Sequence, residues 1–124
     1  MDEEMHKFSN DKGFTLIEVM IAIFILVVGL LGVAGVAVTV INGNAFSKEI
    51  TTATTLAQDK MEELKNTRYS NITSGSDTQD SFYTRTWTST PDSPAADMKT
   101  IDVTVQFPWK GATHNVTLNT IVAK

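Results

Sequence analysis

The chain has 124 residues and a formal net charge of −4, which leaves room for one small domain beside a long apolar segment. The acidic balance argues against nucleic acid as a partner, because nucleic-acid-binding domains present basic patches. Cysteine is absent, which excludes disulfide bonds and thiolate metal sites, so packing must stabilise the fold. From about Asn42 the composition changes from strongly apolar to rich in Thr, Ser, Asn and Asp, and this change predicts an anchored segment followed by an exposed domain.

The first twelve residues are polar, and their four acidic residues outnumber their two lysines. This is a poor N-terminal region for a secretory signal peptide, and the apolar segment that follows is too long for one. Lys12, next to the apolar segment, favours a cytoplasmic N-terminus.

Every residue from Val19 to Val38 is apolar or Gly, and the next charge after Glu18 is Lys48. About 20 such residues, each adding about 1.5 Å, are enough to cross the hydrocarbon of a bilayer. The helix is apolar on all sides, which indicates a position in lipid or inside a helical assembly.

The run Lys12-Gly13-Phe14-Thr15-Leu16-Ile17-Glu18-Val19 resembles the processing and methylation motif of type IV pilins and of the related type II secretion pseudopilins. The resemblance implies that a prepilin peptidase cuts the Gly13–Phe14 bond on the cytoplasmic side and methylates the new N-terminal Phe14. It also implies that Glu18 is the acid that such subunits carry five residues after the Gly.

The placement of Glu18 also has consequences that follow from its chemistry. Inserting a carboxylate in the middle of a membrane helix costs roughly 2.5 to 3.5 kcal/mol. The helix dipole stabilises an anion in the first turn by only about 0.3 to 1 kcal/mol. The amine freed on Phe14 of a neighbouring subunit could complete the pairing. The hypothesis is therefore that Glu18 sets the register of assembly. The alternative is that Glu18 lies at the headgroup level of a helix that is never cut.

Two features of the chain interrupt the apolar pattern. Gly29, Gly32 and Gly35 recur every three residues, do not form a GxxxG motif, and act either as packing notches or as soft points of the helix. Asn42-Gly43-Asn44 predicts a kink or an interruption at the membrane surface, and Ser47 predicts the cap of a renewed helix.

Apolar residues recur with helical spacing from Ile50 onward. They predict an amphipathic helix whose apolar face must pack against another part of the chain. Its apolar stripe comprises Ile50, Ala53, Ala57, Met61 and Leu64, with Leu56 beside it. Lys60, Lys65 and Arg68 near its end suit the helix dipole. The run Thr55 to Lys65 (TLAQDKMEELK) also resembles a stretch of the PilV-like minor pilins. The acids Asp59, Glu62 and Glu63 are interpreted as a solvated face.

The remaining chain predicts a surface loop and a small antiparallel sheet. Tyr69 to Ser81 reads as a polar loop, and Phe82 to Thr88 as a strand that ends at the Thr90-Pro91 region. Ile101 to Phe107 alternates as a half-buried strand. Pro108 to Gly111 supplies the turn before a strand from Asn115 to Val122. The predicted fold is therefore α+β and type IV pilin-like: a long N-terminal helix packed on a small C-terminal antiparallel sheet. The Cys pair of many pilins is missing.

Other chemistry is not supported. His6 and His114 have no second ligand at useful spacing, so neither a metal nor a cofactor is expected, and no catalytic set can be proposed. Asp77 and Asp80 could bind calcium, but an acidic loop is usually only solvated. The aromatic residues of the C-terminal part are expected to be core or subunit contacts: Phe82, Tyr83, Trp87 and Trp109.

These observations predict four segments: a leader (residues 1–13), a membrane or filament-core helix (14–41), its amphipathic continuation (42–68) and an exposed head (69–124). They favour a non-enzymatic prepilin that starts as a single-pass protein of the inner membrane and becomes a minor, PilV-like subunit of a type IV pilus. Alternatives are a minor pseudopilin of a type II secretion system, a major pilin, or a membrane tether that is never cleaved. The implied partners are the prepilin peptidase/methylase, other major and minor pilins, and the pilus assembly machinery.

Overall fold

The computed structural model describes residues 13–124. The predicted leader lies outside the described residues except for Gly13, and His6 lies outside them too. The chain divides into two compact units between Val40 and Ile41.

One α-helix, α1, runs without a break from Leu16 to Lys65. The predicted interruption at Asn42-Gly43-Asn44 is therefore wrong, and so is the predicted cap at Ser47. Asn and Gly cost a helix only about 0.7 to 1 kcal/mol each relative to Ala, and the helix continues through them into the segment that packs on the sheet. The backbone oxygen of Ser47 accepts a hydrogen bond from the Thr51 hydroxyl at 2.9 Å inside the helix.

After α1 the chain makes a 3₁₀ turn at Tyr69–Asn71 and then four strands, each antiparallel to the next in the order β1-β2-β3-β4. The strands are β1 (Gly75–Gln79), β2 (Tyr83–Pro91), β3 (Met98–Trp109) and β4 (Ala112–Ala123). The fold is α+β and type IV pilin-like, as expected.

Strand β1 corrects the prediction of a loop from Tyr69 to Ser81. It is an edge strand with no fully buried residue, so its sequence lacks apolar alternation. Pairing with β2, for example Gly75 opposite Trp87, holds it in the sheet.

The hairpin between β3 and β4 turns more tightly than predicted. Pro108 and Trp109 belong to β3, and the turn consists of Lys110 and Gly111 alone, with φ angles of 48° and 80°. Two successive residues with positive φ form the type I′ turn, whose twist matches that of the flanking strands. Gly111 adopts this backbone conformation without the steric cost of a Cβ.

The core lies between the second half of α1 and the inner face of the sheet. Strand β3 contributes its predicted alternation, with Ile101, Val103, Val105 and Phe107 fully buried. The predicted helix stripe lies in the same cluster: Ala53, Ala57, Met61 and Leu64 are buried, and Ile50 and Leu56 are half-buried. Ala53 and Ala57 have no exposed surface, because their small side chains let the helix backbone come close to the sheet.

Candidate processing and assembly site

The predicted scissile bond lies in exposed, non-helical backbone just before α1. Gly13, Phe14 and Thr15 precede the first helical residue, and Phe14 is 82% exposed. Backbone that is exposed and free of helical hydrogen bonds is accessible to a protease. The geometry is therefore compatible with cleavage between Gly13 and Phe14.

Thr15 determines where the helix begins. Its hydroxyl oxygen accepts a hydrogen bond from the backbone N–H of Glu18 at 3.2 Å, and its carbonyl accepts one from Val19 at 3.1 Å. This is the N-cap arrangement, which satisfies one of the free donors of the first turn. As a result, Phe14 stays outside the helix and only one turn separates it from Glu18.

Glu18 lies in the first turn of α1 and is exposed. It forms no ion pair within residues 13–124, where the ion pairs are Lys60–Glu63, Arg85–Asp77 and Lys124–Asp97. The positive end of the helix dipole favours an anion at this position. Phe14 and Glu18 also share a shallow depression on the helix face, whose lining is Phe14, Glu18, Val19, Ala22, Ile23 and Leu26.

The helix that follows Glu18 is long and apolar enough to cross a membrane. The side chains of residues 19–38 are all exposed, so in water this segment would leave a large apolar surface uncovered. Gly29 and Gly32 are helical and line a second shallow depression with Val28, Val33 and neighbouring residues. Their predicted roles as notches or soft points remain predictions.

Within residues 13–124 no group of three or more His, Asp or Glu side chains could hold a metal ion. His114 packs edge-on against Phe46, with 5.0 Å between the ring centroids. The Asp77 carboxylate accepts hydrogen bonds from Arg85, one of them 2.7 Å long from the guanidinium Nε, and this pairing holds the pKa of Asp77 below its usual value. Asp77 is thus a structural partner of Arg85, and Asp80 lies in the turn after β1.

Among the contacts that were not predicted from the sequence is one between Lys60 and Trp87. Lys60 belongs to the buried face of α1, with its ammonium over the ring of Trp87. The other predicted aromatic contacts are mostly as expected: Tyr83 is buried, Trp87 and Trp109 are half-buried against the core, and Phe82 is 39% exposed.

Comparison with known proteins identifies one family feature. Residues 8–34 match the profile described as the prokaryotic N-terminal methylation motif. Searches among curated proteins and among solved structures gave no significant match. The matched segment contains the Gly13–Phe14 bond, Glu18 and most of the apolar run. The match covers the N-terminal segment alone, and it supports a relation of this segment to the N-terminal segments of type IV pilins and pseudopilins.

Proposed function

We propose that this chain is a prepilin whose mature form is a minor, PilV-like subunit of a type IV pilus and acts in priming or modification of the filament. The precursor is a single-pass protein of the inner membrane with a cytoplasmic leader. After cleavage the subunit joins major and minor pilins through the apolar half of α1. In this proposal the segments are the leader (1–13), the membrane and filament-core helix (14–41), its amphipathic continuation (42–68) and the exposed head (69–124).

One observation carries the proposal: the Gly13–Phe14 bond lies in exposed backbone directly before a capped helix that has a lone carboxylate in its first turn. A secretory signal would place its cleavage site after the apolar segment. A permanent membrane tether forms no new amine beside Glu18. A subunit that is cut here gains a cationic amine one turn from Glu18.

The amine and the carboxylate give a physical reason for ordered assembly. In a packed bundle of apolar helices, Glu18 of one subunit pairs with the Phe14 amine of a neighbour at the stagger that places the two groups opposite each other. A wrong stagger leaves two charges unpaired in a medium of low dielectric, and each such charge costs several kcal/mol. Glu18 therefore determines the register at which helices associate.

The minor, PilV-like assignment depends on the resemblance of the run Thr55 to Lys65. Ala57, Met61 and Leu64 of this run are core residues, whereas Gln58, Asp59 and Glu62 are exposed.

Mass spectrometry of the membrane and filament fractions tests the processing step. The expected mature N-terminus is a methylated Phe14, and deletion of the prepilin peptidase should restore the chain that starts at Met1. An N-terminus at Met1 in cells that contain the peptidase would contradict the proposal and support a membrane tether.

A pair of matched variants tests the role of Glu18. Glu18→Ala should reduce incorporation into filaments, and Asp59→Ala, which also removes one exposed carboxylate from α1, should leave incorporation unchanged. Leader removal, measured on the same samples, separates an assembly defect from a processing defect. Normal incorporation of Glu18→Ala would rule out the register role.

Deletion of the whole chain distinguishes the two minor-subunit roles. Loss of filaments indicates priming, whereas normal filament numbers with altered adherence indicate modification. A loss of protein secretion with intact pili would instead assign the chain to a type II secretion system.

A further inference from the structure

Strand β4 is one edge of the sheet, and its sequence does not protect that edge. The strand is 12 residues long, contains no Asp, Glu, Lys, Arg or Pro, and has no buried residue. Its pairing with β3 continues without a bulge from end to end. Natural proteins block edge strands with lysine, proline, a bulge or a short length, because an unblocked edge is a template for a further strand. The edge formed by β4 is therefore open to strand addition.

The backbone hydrogen bonds of β4 show which groups are free. Just beyond the strand, the N–H of Lys124 donates to the carbonyl of Asp97 at 2.9 Å. In an antiparallel pair such bonding recurs at every second residue, so the even-numbered residues 112–122 bond to β3. The N–H and C=O groups of the odd-numbered residues 113–123 therefore point to the free edge.

The same reasoning identifies the free groups of β1 at the other edge. Both backbone groups of a residue point to one side of its strand, so the odd-numbered residues of β3 bond to β4 and the even-numbered ones to β2. Followed through the pairing of β2 with β1, this pattern leaves Ser76 and Thr78 with their N–H and C=O groups at the free edge. The bond from the N–H of Ser89 to the hydroxyl of Ser74, on the β1 side of β2, agrees with it.

The two edges match each other in direction and in face. Four antiparallel strands alternate in direction, so β1 runs opposite to β4. A second copy placed beside β4 in the same orientation therefore presents its β1 antiparallel to β4. On both strands the exposed side chains, such as those of Thr78 and Thr117, belong to the residues whose backbone groups are free. Pairing of the two edges therefore also aligns the inner and outer faces of the two sheets.

Neither charge nor packing opposes this pairing. The charged residue of β1 is Asp77, which Arg85 of the same head already binds, and β4 has no charge to meet it. On the inner face, Leu118 of β4 is half-buried and lines a shallow depression with Met61 and Lys65 of α1. A further strand beside β4 covers part of this apolar surface.

The direction of α1 favours this partner over a second β4. Phe46 packs on His114 near the start of β4, with 5.0 Å between the ring centroids, and Met61 lines the depression with Leu118 farther along the strand. The part of α1 that packs on the sheet therefore runs in the direction of β4. Two β4 strands paired antiparallel would place the Ile41 ends of the two heads on opposite sides. Pairing of β4 with β1 keeps both Ile41 ends on one side, as two subunits in one membrane require.

We propose that copies of this chain make a head-to-tail contact, in which β4 of one head pairs with β1 of the next and the sheet continues from head to head. The inference rests on the proposed function, because anchoring in a common membrane gives the heads the same orientation. Strand addition of this kind derives its affinity from main-chain hydrogen bonds. The contact uses two different surfaces and does not close within a pair, so it adds copies in a row.

The test joins the two edges by crosslinking. Because the chain has no cysteine, introduced cysteines react with a short bismaleimide without a background. Thr78→Cys marks the β1 edge and Thr117→Cys the β4 edge, and full-length chains with different tags are co-expressed and treated in membrane vesicles. Within one copy the two positions lie three strand spacings apart, about 14 Å, which is beyond the reach of a short linker.

The mixture of Thr78→Cys and Thr117→Cys chains should give a dimer that carries both tags. The double variant should give dimers, trimers and longer species, and either single variant alone should remain a monomer. A mixture of Thr51→Cys and Thr117→Cys chains is the control for chance collisions, because Thr51 is exposed on α1, and it should give no comparable dimer.

Absence of the dimer with both tags, or an equal yield from the Thr51 mixture, would overturn the head-to-tail contact. Dimers of the Thr117→Cys chain alone would overturn it in favour of paired β4 strands. The N-terminus and the filament incorporation of the chain without cysteines decide the proposed function separately. A processed subunit in filaments without the crosslink would overturn the contact alone, whereas an unprocessed chain absent from filaments would overturn the proposed function.

Two variants of Asn119 test whether the backbone makes the contact. The register that places Thr78 opposite Thr117 pairs Asn119 with Ser76, and Asn119→Pro removes an N–H that β3 does not use. Placed on the Thr117→Cys chain, Asn119→Pro should abolish the dimer. Asn119→Ala loses the same side-chain bond to Asp102 but keeps the N–H, so the dimer should remain. Survival of the dimer with Asn119→Pro, or equal loss with Asn119→Ala, would overturn strand pairing, and urea unfolding of each variant checks that the fold is kept.

Discussion

The ammonium of Lys60 lies 3.9 Å from the ring centroid of Trp87, on the side of α1 that faces the sheet. It also bonds to both carboxylate oxygens of Glu63, at 3.0 and 3.1 Å. Lys60 is only 7% exposed, so its methylene stem fills core space while its charge contacts the ring and the partner at the rim. From the sequence, Lys60 was expected only to suit the helix dipole. In the structure it connects α1 to β2.

We expect Lys60→Met to destabilise the protein by about 1 kcal/mol. A cation over an aromatic ring contributes about 2 kcal/mol when desolvated, and the cost of burying the charge offsets part of it. Lys60→Ala also removes the stem and should cost about 2 to 3 kcal/mol. Urea unfolding of the full chain in detergent, followed by tryptophan fluorescence, measures both values.

Lys65→Met is the control, because Lys65 is exposed near the same helix end, and its effect should stay within about 0.5 kcal/mol. A Lys60→Met protein as stable as the unmodified chain would show that the Trp87 contact gives no net stabilisation.

Gly75 on β1 lies directly opposite Trp87 on β2, and the indole covers it. A Cβ at Gly75 would lie 2.7 Å from Cζ2 of Trp87 and 3.0 Å from Cε2. These contacts are too short, so Gly75→Ala must displace the ring or β1. We expect a loss of about 1 to 3 kcal/mol in the free energy of unfolding, together with a changed Trp87 fluorescence.

The control for Gly75→Ala is Ser76→Ala, which changes an exposed neighbour in the same strand and should have little effect. If Gly75→Ala were neutral, the indole would have to move away at no cost, and Gly75 would not be required for β1 to pair with β2.

The parts of the fold that the sequence predicts are those with a periodic apolar pattern. Ile101 to Phe107 alternates with a period of two, and Ala53 to Leu64 repeats with the period of a helix; both sets form the core. Lys60 lies at the same helical spacing, three residues after Ala57 and four before Leu64, and so belongs to the buried face of the helix. The burial of Lys60 was not predicted because the residue is charged, and polarity alone does not show where a long side chain places its stem.

The parts that the sequence did not predict depend on contacts between distant residues. Strand β1 has polar residues on both faces, and it forms because β2 offers backbone partners and Arg85 binds Asp77 across the pair. The unbroken helix through Asn42-Gly43-Asn44 shows that weak local propensity does not end a helix whose neighbouring turns are well supported. At the processing site, the structure shows an exposed Gly13–Phe14 bond and a capped start of α1, while cleavage, methylation and the role of Glu18 remain predictions.

Asp77 should make stability depend on acidic pH. Hydrogen bonds from Arg85 lower the pKa of Asp77 from its ordinary value of 3.8, so the folded state favours the ionised carboxylate. The stabilisation is complete above pH 3.8 and is lost as the pH falls through the lower pKa of the folded state. Asp77→Asn should remove this part of the pH dependence.

At neutral pH, Asp77→Asn should also lower the free energy of unfolding by about 1.5 to 3 kcal/mol, because it weakens charge-assisted bonds and leaves the buried Arg85 guanidinium short of an anion. The value should lie near the lower end, since 32% of the Asp77 side chain is exposed. Asp102→Asn, a second acid on the sheet, is the comparison. An identical acid profile for Asp77→Asn and the unmodified chain would exclude Asp77 as the group responsible.

Tyr83 should produce the opposite dependence at alkaline pH. Burial raises the pKa of Tyr83 above 10.0, and the hydrogen bond that its hydroxyl donates to Glu49 raises it further. The folded state therefore favours the neutral phenol, and this stabilisation is complete below pH 10.0 and is lost as the pH rises through the pKa of the folded state.

Tyr83→Phe keeps the ring against Phe107 but removes the donor, so it should cost about 1.5 to 3 kcal/mol at neutral pH. The difference in unfolding free energy between Tyr83→Phe and the unmodified chain should stay constant up to about pH 10 and shrink above it. Taking this difference cancels the titration of the lysines, which both proteins share. A difference that does not change with pH would mean that Tyr83 ionises as easily in the folded protein as in the unfolded chain, and would exclude its hydroxyl as a neutral donor that links β2 to α1.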